Sequence, residues 1–245
     1  MTIIVLFVLL IGDFVVSNKN RALARQADQI TIKLIGHQWW WEVTYVDPTA
    51  SKIVTDANEI HVPVGQTVRL ELQSADVIHS FWAPNISGKK DLVPGHPTSL
   101  SVRADKTGTF WGQCAEFCGH QHAHMRFALI VQSPEDFAAW LEAARQPAPE
   151  PVTDLQRRGK QVFLGQTCTM CHTIGGTEAG GRLGPNLTRV GSRAAIAAGS
   201  LPNSMGHLAG WIADPQGIKP GVIMPQHSLS PDDLQALLEY LESLK

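Results

Sequence analysis

The sequence predicts a chain of several domains: a partial transmembrane helix at the N-terminus, an all-β sandwich, and an all-α domain at the C-terminus. Three patterns lead to this prediction. The first residues are nearly all apolar, region 30–145 contains short segments in which apolar and polar residues alternate, and region 152–245 carries apolar residues at helical spacing. A length of 245 residues is enough for two domains of ordinary size.

Composition indicates a folded chain and excludes one class of partner. The hydrophobic fraction is 44%, the charged fraction is 17% and the formal net charge is -2, as in ordinary globular proteins. No basic block or stripe occurs, so we expect no nucleic-acid partner. We also find no pattern of an oxygen-activating site, a nucleophile or a general base, which predicts that the chain has no complete active site of its own.

Residues 1–29 are predicted to form a membrane anchor and its connector. The apolar run from Thr2 to Val16 is interrupted only by Asp13 and is shorter than the roughly 20 residues that span a bilayer. No basic residue precedes the run and no small-residue cleavage site follows it, which disfavours a signal peptide. We expect the end of a longer helix, and a buried helix of a soluble domain is the alternative. Basic residues follow the run and would favour a cytoplasmic position there: Lys19, Arg21 and Arg25.

Residues 30–145 are predicted to form a β domain closed by a short helix. Ile60, Val62 and Val64 alternate with polar neighbours, and the same period continues after a Gly-Gln turn. Short alternating strands separated by Gly and Pro turns predict an antiparallel sandwich or barrel. An amphipathic helix is predicted over 134–144.

A proline at every second position of segment 146–151 predicts a semi-rigid linker between the two domains. Residues 152–245 are then predicted to form a helical domain. Its last helix is marked by Ser230 as N-cap and Pro231 at the first helical position, followed by leucines at helical spacing.

The helical half contains Cys168 and Cys171 followed directly by His172, the spacing of a covalent c-type haem attachment site. Two thiols at that spacing can form thioethers to one porphyrin, and the adjacent imidazole then ligates the iron. A redox pair or half a zinc site is the alternative, although no third Cys occurs in this half. Met224, in a proline-bounded loop, is the predicted second axial ligand. The alternatives for that position are Met205, His207 and His227.

Gly-Pro-Asn-Leu at 184–187, Trp211, the Met224 loop and the terminal helix occur in the order found in class I cytochromes c, and residues 152–245 resemble that family. The resemblance implies one covalent haem c that transfers single electrons. Cys168 and Cys171 would bind the haem, and His172 and Met224 would be its axial ligands.

A second cluster lies in the β half, where residues 114–125 hold two thiols, three imidazoles and a thioether. Soft sulfur with imidazole favours copper or zinc, and a methionine favours copper. Two Cys four residues apart can place both thiolates between two metal ions, each of which then needs a His and a weak axial ligand. The alternatives are a disulfide between Cys114 and Cys118, a mononuclear zinc site and a blue-copper site.

The order Cys, three residues, Cys, three residues, His, two residues, Met resembles the copper loop of cytochrome c oxidase subunit II, and residues 76–82 and 89–95 resemble other segments of that family. The resemblance implies a cupredoxin-like Greek-key sandwich with a binuclear copper (CuA) centre. The Glu116 carboxylate would also reach a magnesium ion at the border with the catalytic subunit. The implied copper ligands are His79, Cys114, the carbonyl of Glu116, Cys118, His122 and Met125.

Residues 36–42 resemble the aromatic segment of the same family, which implies that an electron enters the copper centre through Trp39. Core packing and a membrane-interface belt are the alternatives for the three consecutive tryptophans. The remaining histidines are expected in other roles. His120 and His124 would face solvent or lie beside the ligands, and surface or structural positions are expected for His37, His61 and His96.

Together the two halves resemble subunit II of a caa-type oxidase. The resemblance implies electron flow from a cytochrome c or a quinol-oxidising complex, through haem and copper, to the haem–copper site of catalytic subunit I, where oxygen is reduced and protons are pumped. It also implies contacts with other oxidase subunits and a bacterial inner-membrane location, with both metal domains on the periplasmic side, against the charge bias noted above.

The family has two transmembrane helices where this chain has part of one, so we expect a truncated sequence or a misplaced start. The alternatives for function are a free membrane-tethered electron carrier and a module like that of nitrous oxide reductase. The latter would need a large histidine-rich catalytic domain, which the sequence does not contain.

Overall fold

The computed structural model describes residues 1–24 and 30–245, so the predicted connector 25–29, including Arg25, lies outside the described residues. Helix α1 covers Thr2–Ala24, and its large apolar side chains between Ile3 and Val16 are exposed. Within the described part of the chain, no helix is both long and apolar enough to cross a membrane. The predicted transmembrane helix is therefore not confirmed.

Ten strands form two five-stranded sheets around one apolar core. The strands are β1 (Ile30–His37), β2 (Trp40–Tyr45), β3 (Val54–Ala57), β4 (Glu59–Pro63), β5 (Thr67–Ser74), β6 (His79–Trp82), β7 (Lys90–Leu92), β8 (Thr98–Arg103), β9 (Gly108–Cys114) and β10 (Arg126–Gln132). The strand order is β3-β2-β1-β5-β8 in one sheet and β4-β10-β9-β6-β7 in the other. The predicted β-sandwich class is thus confirmed.

The prediction that the sandwich is antiparallel was wrong for two strand pairs. Strand β1 pairs in parallel with β5, and β10 pairs in parallel with β4, whereas β1–β2 and β9–β10 are antiparallel. An alternating pattern shows which face of a strand is buried but carries no information about strand direction. The sequence pattern therefore could not show these two crossovers.

Aromatic packing fixes the strands next to the predicted copper ligands. The Phe81 ring lies 4.7 Å from the Phe127 ring, and the Trp41 ring lies 5.4 Å from Phe127. All three side chains are fully buried. A Cβ on Gly112 would lie 2.0 Å from the Phe127 ring, so only glycine allows β9 to pass this close. The stack thereby holds β6, β9 and β10 together at the end where the candidate ligands lie.

Helix α2 covers Pro134–Ala144, which confirms the predicted helix, and the Ser133 hydroxyl caps it by accepting from the Asp136 amide at 3.0 Å. The following proline-rich segment does not stand free of the next domain. The Ala148 amide donates to the Gly175 carbonyl at 2.9 Å. The linker is therefore attached to the helical domain at this point.

The C-terminal domain is helical with one small β ribbon, which the all-α prediction did not include. Helix α3 (Asp154–Gly165) and helix α7 (Pro231–Ser243) cross where a Cβ on Gly159 would lie 2.0 Å from the Ala236 carbonyl oxygen. Ser230 caps α7 as predicted, accepting from the Asp233 amide at 3.1 Å. The elements are α3 (Asp154–Gly165), α4 (Cys168–Cys171), β11 (Ala195–Ile196), β12 (Leu201–Pro202), α5 (Met205–Ala213), α6 (Pro215–Ile218) and α7 (Pro231–Ser243).

Candidate metal centres and the contact between them

Three potential metal ligands from separate segments converge at one end of the sandwich. His79 begins β6, Cys114 ends β9, and Cys118 lies in the loop that follows. Their ligand atoms all lie within 4.8 Å of one another, and all three residues are buried. The two Sγ atoms are 3.7 Å apart, and His79 Nδ1 lies 3.8 Å from Cys114 Sγ.

The other three predicted copper ligands surround the same two sulfurs. The carbonyl oxygen of Glu116 lies 3.3 Å from Cys114 Sγ. On the other side, His122 Nδ1 lies 3.5 Å and Met125 Sδ 3.9 Å from Cys118 Sγ. Each sulfur therefore has one imidazole and one weaker donor beside it. This is the arrangement that two metal ions bridged by two thiolates would require.

The two thiols of the pair have opposite pKa shifts. The hydrogen bond between the two sulfurs lowers the pKa of Cys114 to about 3. The same bond, together with burial, raises the pKa of Cys118 above its ordinary value. The second thiol thus loses its proton less readily than the first, and a bound metal ion would favour the thiolate form of both.

The geometry also bears on a disulfide and on a mononuclear zinc site. All four cysteines of the chain are free, and the 3.7 Å between Cys114 and Cys118 sulfurs is far beyond the roughly 2.05 Å of a disulfide. In a tetrahedral site, ligand atoms about 2.0–2.3 Å from the ion lie within about 4 Å of one another. Among the described residues, the group whose ligand atoms all lie within 4.8 Å does not include His122. A single zinc ion held by two Cys and two His therefore does not fit.

A carboxylate contact orients the first histidine. His79 Nε2 lies 2.7 Å from Asp76 Oδ1, so Nε2–H donates to the carboxylate and Nδ1 is left to face the sulfurs. Asp76 Oδ2 also accepts from the Gln38 amide at 2.6 Å. Asp76 thereby joins the histidine to the segment that carries Trp39.

The haem-attachment motif lines a mainly apolar cavity of about 470 Å³ in the helical domain. Cys168 and Cys171 on α4, His172 and Met224 all contribute to the cavity wall. Met205 is not part of that wall, and its sulfur instead accepts from Gln235 Nε2 at 3.8 Å. Of the two histidines considered for the second axial position, His227 lines the cavity, whereas His207 bonds to the Ser204 hydroxyl at 2.8 Å.

The predicted proximal histidine is held in the tautomer that a metal requires. His172 Nδ1 donates to the Pro185 carbonyl at 2.7 Å, which leaves the lone pair of Nε2 free. Burial lowers the pKa of His172, so the imidazole is neutral. A Cβ on Gly184 would lie 2.7 Å from the His172 ring. The Gly-Pro pair thus fits under the imidazole and positions it.

Trp39 lies between the two candidate centres. Its side chain forms part of the wall of the haem-motif cavity, and its Nε1 donates to the Cys118 carbonyl at 2.8 Å. Its neighbours have different surroundings: Trp40 stacks on His37 with 4.3 Å between ring centroids, and Trp41 lies in the core. Since Trp39 is only 7% exposed and Trp41 fully buried, the three tryptophans do not form a surface belt.

Polar contacts that the sequence did not reveal join the two domains. Arg193 Nη2 lies 2.5 Å from Asp56 Oδ1, and both side chains are buried. The Ala194 amide donates to Glu59 Oε1 at 2.9 Å. Lys219 Nζ crosses from the helical domain to carbonyls of the β domain. A single sequence gives no signal for such contacts, because each pair is separated by more than ninety positions. The contact of Asp76 with His79 differs, because the two residues are only three positions apart and their proximity can be seen in the sequence.

The histidines outside the predicted ligand set occupy varied positions. His120 and His96 are exposed, and His124 is exposed with its Nδ1 2.8 Å from Gln121 Oε1. His61 is buried and stacks on Trp140 at 3.9 Å. These positions agree with the solvent, near-ligand, surface and structural roles expected for them.

The fold and the two clusters define a class: a two-domain redox protein, with a soft-metal site in a cupredoxin-like domain and a haem-binding motif in a cytochrome c domain. Residues 45–133 match the family described as cytochrome C oxidase subunit II, periplasmic domain, and residues 156–245 match the cytochrome c family.

Curated relatives identify the family of the whole chain. It is 40% identical over 235 residues to cytochrome c oxidase subunit 2 of Alkalihalophilus pseudofirmus, which covers 96% of this chain and 67% of the relative. It is 31% identical over 253 residues to cytochrome c oxidase subunit 2 of Bacillus subtilis, with 99% and 69% covered. The crystallised periplasmic domain of subunit II of cytochrome oxidase from Bradyrhizobium japonicum is 36% identical, with a TM-score of 0.46, and the match covers 49% of this chain and 95% of that one.

The chain belongs to the cytochrome c oxidase subunit 2 family, and its fused cytochrome c domain is the arrangement of caa-type oxidases. It spans about two thirds of the length of these curated relatives. Membership implies copper in the β domain and haem in the helical domain, which agrees with the donor atoms found in each.

The Asp76 contact leads to a prediction about copper affinity. Replacing Asp76 by Ala frees His79 to rotate, and loss of such a partner typically lowers metal affinity about 10- to 100-fold. Competition with a coloured copper chelator measures the change. Asp105→Ala, at a carboxylate that is 87% exposed, is the matched control and should bind copper like the wild type. Equal affinity in both variants would contradict the orienting role.

Proposed function

We propose that the chain is the subunit of a caa-type oxidase that receives electrons and passes them to the catalytic subunit. The observation that carries this proposal is the position of Trp39, which lines the haem-motif cavity and donates to the carbonyl of a predicted copper ligand, Cys118, at 2.8 Å. Haem and copper, when bound, supply one-electron carriers on the two sides of this residue. The chain itself supplies their ligands, their separation and the low-polarity path between them.

The copper ligands of this proposal are the six residues grouped around the two buried sulfurs. Cys114 and Cys118 would supply the thiolates shared by the two ions. His79 and the Glu116 carbonyl would bind on one side and His122 and Met125 on the other, which their distances to the two sulfurs support. The buried position of the cluster excludes water, which suits a centre that must change charge with little rearrangement around it.

Haem c is proposed to be attached through Cys168 and Cys171, with His172 and Met224 as axial ligands. The free Nε2 of His172 and the presence of Met224 in the same cavity wall support this assignment. Thioether ligation raises the reduction potential relative to a second histidine.

The Glu116 carboxylate is proposed as a magnesium ligand at the border with the catalytic subunit. Its side chain is 44% exposed and lies 3.9 Å from the Lys89 ammonium, so the carboxylate is available to a partner surface. Because its carbonyl lies beside Cys114, one residue would connect the copper centre to that border.

We also propose a bacterial inner-membrane location, with both metal domains on the periplasmic side. The exposed apolar residues of α1 support attachment to the membrane, and the matched family is described as a periplasmic domain. The partners would be catalytic subunit I and other oxidase subunits, with a cytochrome c or a quinol-oxidising complex as reductant. Copurification with a large membrane subunit that reduces oxygen would distinguish this assignment from a free electron carrier. The matched relatives are named as oxidase subunits, which favours this assignment over a module of nitrous oxide reductase.

A visible and near-infrared absorption spectrum with copper and iron counts tests the two cofactor assignments together. We expect a c-type haem spectrum, a haem that remains on the polypeptide during acid-acetone extraction, a near-infrared copper band and two coppers per iron. A count of one copper or one zinc per iron without the near-infrared band would contradict the binuclear centre and leave a cytochrome c domain beside a different metal site.

The axial ligand assignment gives a second prediction. Met224→Leu should abolish the methionine–iron charge-transfer band and lower the haem potential, because the thioether leaves the cavity wall. Met205→Leu is the matched control, since Met205 lies outside that wall, and it should retain the band. The reverse result would show that Met205 is the ligand.

A further inference from the structure

Lys219 is a cytochrome-domain residue whose side chain ends inside the copper domain. It follows α6 and precedes the loop that carries Met224. The side chain is only 2% exposed. Its Nζ donates to three carbonyls: Trp39 at 2.9 Å, His124 at 2.7 Å and Ala197 at 3.0 Å. Three acceptors match the three N–H groups of one ammonium.

The three carbonyls belong to the parts of the chain that must be in register for electrons to pass. Trp39 carries the indole between the cavity and Cys118. His124 directly precedes Met125, a proposed copper ligand. Ala197 belongs to the loop of the cytochrome domain that lines the cavity. One ammonium therefore joins the aromatic bridge, the copper loop and the cavity wall.

Neighbouring hydrogen bonds hold the segment around Lys219 on both sides. Gln121, between two of the proposed copper ligands in sequence, donates from Nε2 to the Pro220 carbonyl at 2.8 Å. Gln216 Nε2 donates to the carbonyls of Val222 at 2.7 Å and Met224 at 3.0 Å. The loop from Lys219 to Met224 is thus held to the copper loop at one end and braced within its own domain at the other.

Stability alone does not account for this lysine. In the part of the chain that the structure describes, no carboxylate forms an ion pair with Lys219. Burial removes the hydration of this amine and lowers the pKa of Lys219 to about 7, an effect that the nearby Cys118 sulfur partly opposes. The three hydrogen bonds of Lys219 instead fix one position of the helical domain relative to Trp39, because their three acceptors are fixed.

We propose that Lys219 is a positioning residue for internal electron transfer, which it serves by holding the haem cavity in register with Trp39 and the copper loop. The proposal rests on the proposed function, in which electrons pass from the cytochrome domain to the copper domain. Lys219 need not touch either cofactor for this role. It acts through the main chain of Trp39 and His124.

The test uses the full chain loaded with haem and copper, in which the haem is reduced photochemically and its reoxidation by copper is timed. Lys219→Met keeps the length of the side chain and removes all three donors. We expect internal transfer to slow about tenfold, equivalent to about 1.4 kcal/mol. Lys219→Gln, which retains two donors on a shorter chain, should fall between that variant and the wild type and serves if Lys219→Met does not fold.

The matched control is Lys160→Met, in the same domain, where the ammonium pairs at 2.8 Å with an exposed carboxylate of Glu150. It should transfer electrons at the wild-type rate. The haem and copper absorption bands of all variants should match those of the wild type, because Lys219 shapes neither ligand set. Both potentials are measured so that a change in driving force is separated from a change in register.

A second readout does not depend on activity. Small-angle X-ray scattering of the same samples should show a larger maximum dimension for Lys219→Met, because the two domains separate more often. An unchanged transfer rate, a slowing explained by the shift in driving force alone, or altered absorption bands would each overturn the positioning role. Absence of internal transfer in the wild type would instead contradict the proposed function.

Discussion

The hydrogen bond between Trp39 and Cys118 joins the two candidate metal centres, and the other contacts between the domains lie around it. The indole forms part of the cavity wall in one domain and donates to the main chain of a candidate copper ligand in the other. Because the rate of electron transfer falls steeply with distance, two redox centres on one chain need a fixed separation as well as proximity. A flexible tether raises effective concentration, whereas a packed contact also sets the geometry.

The contacts between the two domains suit the need for a fixed separation of the two redox centres. The buried pair of Arg193 and Asp56 and the side chain of Lys219 place polar contacts between the two domains. Buried charges contribute little net stability, but each has only a few satisfactory arrangements. The polar contacts thus favour one relative position of the two domains rather than a high affinity between them. A high affinity is not needed, because the linker already keeps the domains near one another.

The parts predictable from the sequence were local. Cys168, Cys171 and His172 lie on or directly after one short helix, and their spacing indicated haem attachment. Cys114, Cys118, His122 and Met125 lie in or beside one loop, where the residue types indicated a soft-metal site and the resemblance to subunit II implied the individual copper ligands. The helix over 134–144 and the Ser230 cap of α7 were also local predictions and were confirmed. The parallel pairing of β1 with β5 was missed because alternation carries no strand direction. Lys219 and Arg193 were missed because their roles depend on the docking of two domains, which no single segment encodes.

We propose that electrons pass within one chain, from the cytochrome domain to the copper domain. The most direct test is to reduce the haem with a brief light pulse and to follow haem reoxidation and copper reduction over a wide range of protein concentrations. We expect both signals to change together with one first-order rate constant that does not vary with protein concentration. A rate that rises in proportion to concentration, or a haem that stays reduced while the copper remains oxidised, would contradict it.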